Sequence, residues 1–334
     1  DFDKKSRRRV LRRDFLSKSP PLQVRGTYLM DLDRQFGHPS SQSLLDSVAE
    51  VFKKKVIFAK NDRHIVFVCG GNDKRKKRAV RTLFLGYAKR CLRHFRVFLA
   101  ENAAKDLLSH SKPRFLNVAQ FEDLIAEVAD CVLIFPESPG SVAELAYFSR
   151  DPRIRDKILV VNDARLQAED SFLNMGPLAL ISDTSIFRPT IQIDYRDPKF
   201  TLVKKRLARH FPSHNRDRVD YSDHDKLTAR DKFYAVYEIV RIFGAINLNG
   251  VAKCMEVIFG AANVDDLSRY LSILIAADYI VRKGAGRQYF SPKSGVSSFL
   301  EYEHFSTNGL MAHAASYYKE NEPEVFKLLQ GVVR

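Results

Sequence analysis

Residues 131–135, Cys-Val-Leu-Ile-Phe, form an unbroken apolar run. Pro136, Pro139 and Gly140 stop it, and Ser141-Val-Ala-Glu144 then opens a helical pattern with Leu145 and Phe148 behind it. A strand apolar at every position has no solvent side, so it belongs inside a parallel sheet covered on both faces. Strand, turn and helix in that order place the turn at the carboxyl edge of the sheet, where open α/β sheets hold ligands. Two carboxylates, Glu137 and Glu144, lie on this one connection.

The pattern repeats. Ile65–Val68, Val97–Leu99, Lys157–Val161 and Thr190–Ile193 read as further strands. Segments 74–94, 118–129 and 141–150 read as helices between them. Alternation of this kind predicts an α/β fold with a doubly wound parallel sheet. Near Thr228 the pattern changes to three amphipathic helices, 233–243, 251–259 and 264–277, followed by two short strands around a Gly turn within 279–290. That order predicts a C-terminal winged helix-turn-helix, its third helix in the recognition position. The expected organisation is a basic arm and helix at 1–60, the α/β domain at 61–208, a polar linker at 209–227, and the winged helix with added C-terminal helices at 228–334.

Charge is concentrated. The net charge is +15, and residues 228–334 contribute only +1 of it. Residues 1–30 hold nine basic and three acidic side chains, and residues 72–96 hold ten and one. An anionic partner is therefore expected. Four cysteines without C-x-x-C spacing suggest buried thiols, neither disulfides nor zinc ligands, and a cytoplasmic setting. No apolar run reaches the roughly 20 residues needed to span a bilayer, and no signal peptide is visible in the chain as given.

Glu144 is the sharpest candidate for chemistry. A carboxylate at the mouth of such a cleft can attack the anomeric carbon of a ribosyl group and expel the base. Ser141-x-x-Glu144 fits a helix capping box equally well. Glu137 is the second catalytic candidate, and Glu101, at the end of the neighbouring strand, a third carboxylate on the same edge. Cys69-Gly70-Gly71-Asn72 joins the first strand to its helix and would let backbone N–H groups approach a phosphate. Ser141 and the loop residue Asn174 are further candidates for substrate contact. Lys74, Arg75, Lys77, Arg78, Arg81, Lys89 and Arg93 form a basic helix face suited to a polyanion. His210, His214 and His224 are interrupted by Pro212, which argues against a metal site.

The segments Val-Phe-Val-Cys-Gly-Gly (66–71) and Leu-Ile-Phe-Pro-Glu-Ser-Pro-Gly-Ser-Val-Ala-Glu-Leu (133–145) resemble the effector proteins of bacterial retrons, as does the loop 162–177. The resemblance implies a nucleoside deoxyribosyltransferase-like domain joined to a winged helix. It implies an antiphage toxin, held inactive by the retron reverse transcriptase and its multicopy single-stranded DNA/RNA, in a homo-oligomer or larger assembly. It places the nucleophile at Glu144. No cofactor and no membrane partner are expected. Ala146 stands where deoxyribosyltransferases have Gly, Val68-Cys69-Gly70 replaces their Tyr, and the chain continues into another domain. Hydrolysis of a nucleotide or of NAD is therefore expected over base transfer. A non-catalytic nucleic-acid-binding regulator with an α/β sensor domain is the alternative.

Overall fold

The computed structural model describes residues 35–60, 64–73, 78–110, 117–167, 170–211, 216–284 and 288–331. In chain order the first half contains α1 (Ser40–Lys54), β1 (Ile57–Lys60), β2 (His64–Cys69), α2 (Val80–Cys91), β3 (Phe95–Phe98), α3 (Ala100–His110), α4 (Val118–Val128), β4 (Cys131–Ile134), α5 (Pro139–Phe148), α6 (Pro152–Arg155), β5 (Ile158–Asp163), α7 (Ala179–Thr184), β6 (Ile191–Ile193) and α8 (Thr201–His210). The second half contains β7 (Arg216–Val219), α9 (Ala229–Phe243), β8 (Ile246–Asn247), α10 (Leu248–Phe259), α11 (Val264–Ala276), β9 (Ile280–Lys283), β10 (Tyr289–Pro292), β11 (Leu300–Tyr302), α12 (Asn308–Asn321) and α13 (Pro323–Leu329).

Five strands form one parallel sheet in the order β3-β2-β4-β5-β6. The protein is thus mixed α/β, as the apolar runs predict. Leu133, Ile134 and Phe135 have no exposed surface, each burial contributing about 1.5–3 kcal/mol. The chain reverses direction across the sheet between β2 and its neighbours β3 and β4, and ligands of open α/β sheets bind at such a switch point.

Side chains alternate between two layers. Val66, Val68, Leu133 and Val161 pack with α2 and α8. Ile65, Phe67, Cys69, Ile134 and Val160 share the other core with α3, α4 and α5, and that core continues into α9, α10 and α11. The second half is therefore docked on one face of the sheet only.

Four local features differ from the sequence pattern. The basic helix begins at Val80, not Lys74; residues 74–77 lie outside the described residues. Residues 100–102, read as a strand end, open helix α3. Helix α1, grouped by sequence with the arm at 1–60 ahead of the α/β domain, packs against α10 and α12 of the second half. Part of the polar stretch 209–227 pairs as β7, the edge of an antiparallel sheet ordered β11-β1-β7. Its side chains are mostly exposed, which hides the strand from a hydropathy reading.

The second half runs helix, strand, helix, helix, strand, strand, with β8, β10 and β9 in one antiparallel sheet. Glu238, fully buried on α9, anchors it. Its carboxylate accepts from Arg241 (2.6 and 2.9 Å), Ser298 (2.6 Å) and Tyr302 (3.2 Å). No helix among the described residues is long and apolar enough to cross a membrane.

Candidate active site

Pro139 and Gly140 start α5, and Ser138 caps it. Ser138 Oγ accepts from Ser141 N (3.2 Å), while Ser141 Oγ accepts from Ser138 N (3.0 Å) and Glu137 N (3.1 Å). The capping box is therefore Ser138–Ser141. This corrects both roles proposed for Ser141 and Glu144 at that end. Ser141 is buried and held within the cap instead of facing a ligand. Glu144 lies a turn further on, with no capping duty.

Glu137 is also occupied. Its Oε1 accepts from Gly71 N (3.0 Å) and Arg81 N (2.9 Å), and its Oε2 from Val80 N (2.7 Å). A carboxylate so placed satisfies the orphan N–H groups at the start of α2 and complements its dipole. Glu137 is thus a clamp and not a free catalytic group. The same bonds correct the phosphate-cradle expectation for Gly70 and Gly71, because the chain's own carboxylate fills that position. These glycines are needed for close packing. A Cβ on Gly70 would lie 2.7 Å from the Cβ of Arg81, and one on Gly71 would lie 3.0 Å from the Cγ of Glu137.

Arg81, expected on the basic helix face suited to a polyanion, is buried. Its guanidinium donates to Glu101 Oε1 (2.8 Å) and to Asn72 Oδ1. Glu101, in the first turn of α3, is therefore half of an ion pair at the sheet edge. Of the other basic candidates, Arg78, Lys89 and Arg93 are exposed, and Lys74, Arg75 and Lys77 lie outside the described residues. Asn174 Nδ2 donates to the Leu166 carbonyl (2.8 Å) and fixes its own loop. That loop leaves Phe172 and Met175 exposed.

Glu144 differs from these neighbours. It is partly buried, and its Oε2 is shut off from solvent without a hydrogen-bond partner among the described residues. Burial pushes its carboxyl above the usual range and Glu101 adds to this, while the Cys69 thiol and Arg81 favour the ionised form. Cys69, buried at the end of β2, has its own thiol pushed well up by burial and by the Glu144 charge.

Two residues escaped the sequence reading. Glu122, on α4, is held up to about 7 by burial, then by the charges of Glu144, Glu101 and Asp123. In sequence it sits among Asp123 and Glu127 and looks like part of a solvated face. Asn162, on β5, is almost fully buried, and neither amide atom has a partner among the described residues. Cys69 pairs in register with Ile134, and Ile134 with Val160. Asn162 is two residues beyond Val160, so it faces the same layer as Cys69 and α5. A polar residue ending an apolar strand was the available signal. Five elements, β2, β5, α3, α4 and α5, thus converge at the switch point with unpaired or perturbed polar groups, a pattern concentrated at functional sites.

Residues 77–282, a stretch that includes α2 and reaches into β9, match the STM3845 retron effector protein family. The chain belongs to that family. Glu122, Glu144 and Asn162 all fall within the matched region. The effector is 24% identical over 302 residues to the Escherichia coli protein described as "Retron Ec73 putative ribosyltransferase/DNA-binding protein", covering 84% of this chain and 93% of that one. It is 29% identical over 150 residues to the Escherichia coli "Retron Ec86 putative ribosyltransferase/DNA-binding protein", covering 45% of this chain and about half (47%) of that relative.

Proposed function

We propose that this retron effector cleaves the base–ribose bond of a nucleotide or of NAD in its parallel-sheet unit. One observation carries the reading: the buried Glu144 oxygen at the switch point, without a partner among the described residues, with a second carboxyl nearby, Glu122, raised to about 7 by burial. The ribosyltransferase wording attached to the relatives agrees with it.

In the proposed reaction the Glu144 carboxylate attacks C1′ through an oxocarbenium-like transition state. The C1′–N bond breaks and its electron pair stays on the base nitrogen; a nucleobase then takes a proton from Glu122, whereas nicotinamide departs from the NAD pyridinium already neutral and takes none. Water then attacks C1′ of the ribosyl ester, losing a proton to ionised Glu122 and releasing Glu144. Arg81 sits close enough to favour ionised Glu144 and is itself fixed by Glu101 and by the Glu137 clamp. Asn162 offers a dry donor and acceptor to a sugar hydroxyl or base edge. The fold of this unit is read as deoxyribosyltransferase-like, and the helix–strand–helix–helix–strand–strand unit as a winged helix.

Within the retron, the reverse transcriptase and its multicopy single-stranded DNA would restrain the effector as an antiphage toxin. Released protein is incubated with NAD and with nucleotides, and free nicotinamide and free bases are followed. Wild type liberates one of them and a folded Glu144→Gln protein does not. Equal release by Glu144→Gln rejects the nucleophile. No release by wild type from any of these substrates favours the non-catalytic regulator.

A further inference from the structure

Helices α2 and α8 cover the sheet face opposite the second half. Phe84 of α2 meets Phe200, just before α8, at 5.3 Å between ring centroids, and Phe95 meets Phe211, just after α8, at 5.9 Å. Phe200 also contacts Phe135 at the carboxyl edge of the strands, whereas Phe211 stacks on His64 at their amino edge. The two helices therefore lie side by side and run the same way.

Neither helix contains an acidic residue. Lys89, Arg90 and Arg93, at and just past the end of α2, and Lys204, Lys205 and Arg209 of α8 are all exposed. None of the six forms an ion pair among the described residues. Some exposed cations elsewhere are paired, as Arg153 is with Asp151 and Arg196 with Asp194, and others, such as Lys105 and Lys319, form no ion pair among the described residues. What sets this face apart is six cations on two adjacent helices with no carboxylate between them.

Helix dipoles explain cations in the last turns. They do not explain Lys204 and Lys205, which occupy the first half of α8, away from its negative end. Lys205–Arg209 is a like-charge pair four residues apart within α8, a spacing that costs a helix a few tenths of a kcal/mol. A face that accepts this cost without counter-charges is suited to an external anion spread over both helices.

We propose that the α2–α8 face binds the phosphate backbone of a nucleic acid, independently of base sequence. Helix α2 alone is about 18 Å long, enough for several successive phosphates on a neighbouring pair of helices about 8–10 Å apart. No aromatic side chain is needed on this surface, because the recognition is of charge. The site lies on the opposite side of the sheet from Glu144, so it stands whether or not the proposed chemistry does.

The test uses full-length protein freed of nucleic acid and a fluorescent DNA of about 30 nucleotides and arbitrary sequence, single- and double-stranded, with anisotropy read across salt concentrations. The variant carries Lys89→Glu, Arg93→Glu, Lys205→Glu and Arg209→Glu. Its affinity should fall on the order of 100-fold at about 0.1 M salt, and its log–log salt slope should flatten by about 3. A parallel set of Gln substitutions at the same four positions should lose affinity in the same direction and serves if the Glu variant does not fold. Unchanged affinity and slope in a folded variant overturn the proposal. So does wild-type binding to anionic vesicles or an acidic protein with no binding to either DNA. Glu144→Gln should bind DNA as wild type does, which separates this site from the catalytic one.

Discussion

The Asp106 carboxylate on α3 accepts two hydrogen bonds from the Arg282 guanidinium on β9, both 2.9 Å long. It accepts a third from Ser272 Oγ on α11, also 2.9 Å. Both ion-pair side chains are only 10% exposed. Helix α11 and strand β9 are thereby held against α3 of the sheet unit.

Removing one member of a buried pair leaves the other charge without compensation. Asp106→Ala should therefore destabilise the protein by about 3–5 kcal/mol, measured by urea unfolding. Replacing both residues by apolar ones of similar volume, Asp106→Leu with Arg282→Met, should recover most of that loss. A single-variant loss below about 1 kcal/mol would mean that the contact opens readily in solution.

Glu137 and Glu144 should respond in opposite ways. Glu137→Ala abandons three backbone donors and should cost on the order of 2–4 kcal/mol. Glu144→Gln relieves a buried carboxylate oxygen that has no partner, so its Tm should stay level or rise while base release disappears. A loss of stability in Glu144→Gln comparable to that of Glu137→Ala would place Glu144 among the structural groups.

With a nucleotide as substrate, activity should fall as pH rises through about 7, because the leaving base then finds Glu122 without its proton, whereas nicotinamide leaves NAD without needing one. Stability carries the same signature. A carboxyl raised in the folded state holds its proton more tightly there than in the unfolded chain. Folding is therefore weakened between the ordinary glutamate range near 4.5 and about 7. Glu122→Gln should flatten both profiles, read by product release and by thermal melts across pH.

Asn162→Leu substitutes an apolar side chain of similar size for an amide with no partner among the described residues. Stability should hold or improve. Product release at limiting substrate should drop about tenfold or more, the equivalent of roughly 1.4 kcal/mol of lost transition-state binding. Undiminished release would remove Asn162 from the site.

The parallel sheet was legible because its central strands are buried on both faces, and Cys131–Phe135 cannot be anything solvated. Glu144 was legible as the carboxylate behind a Pro/Gly turn. Its freedom was not, because Ser138 and Ser141 compete for the same cap and only geometry shows which pair closes. Arg81 looked like one more cation in a basic run, yet its position relative to Phe84 turns it inward beneath Glu101. Glu137 read as a second catalytic candidate because the three amides it binds lie 56 or more residues earlier in the chain. Strand β7 escaped because a polar edge strand lacks the alternation that marks a half-buried one.

The small sheet β11-β1-β7 gathers residues 57–60, 216–219 and 300–302. Its middle strand emerges from the ribosome long before either neighbour. A nascent chain that has delivered only its first half carries β1 with both edges bare, and closure waits for residue 302. Cutting the gene at the apparent boundary near residue 228 would therefore orphan β11 from its only partner, and the excised piece would be a poor stand-in for the same residues in the whole effector.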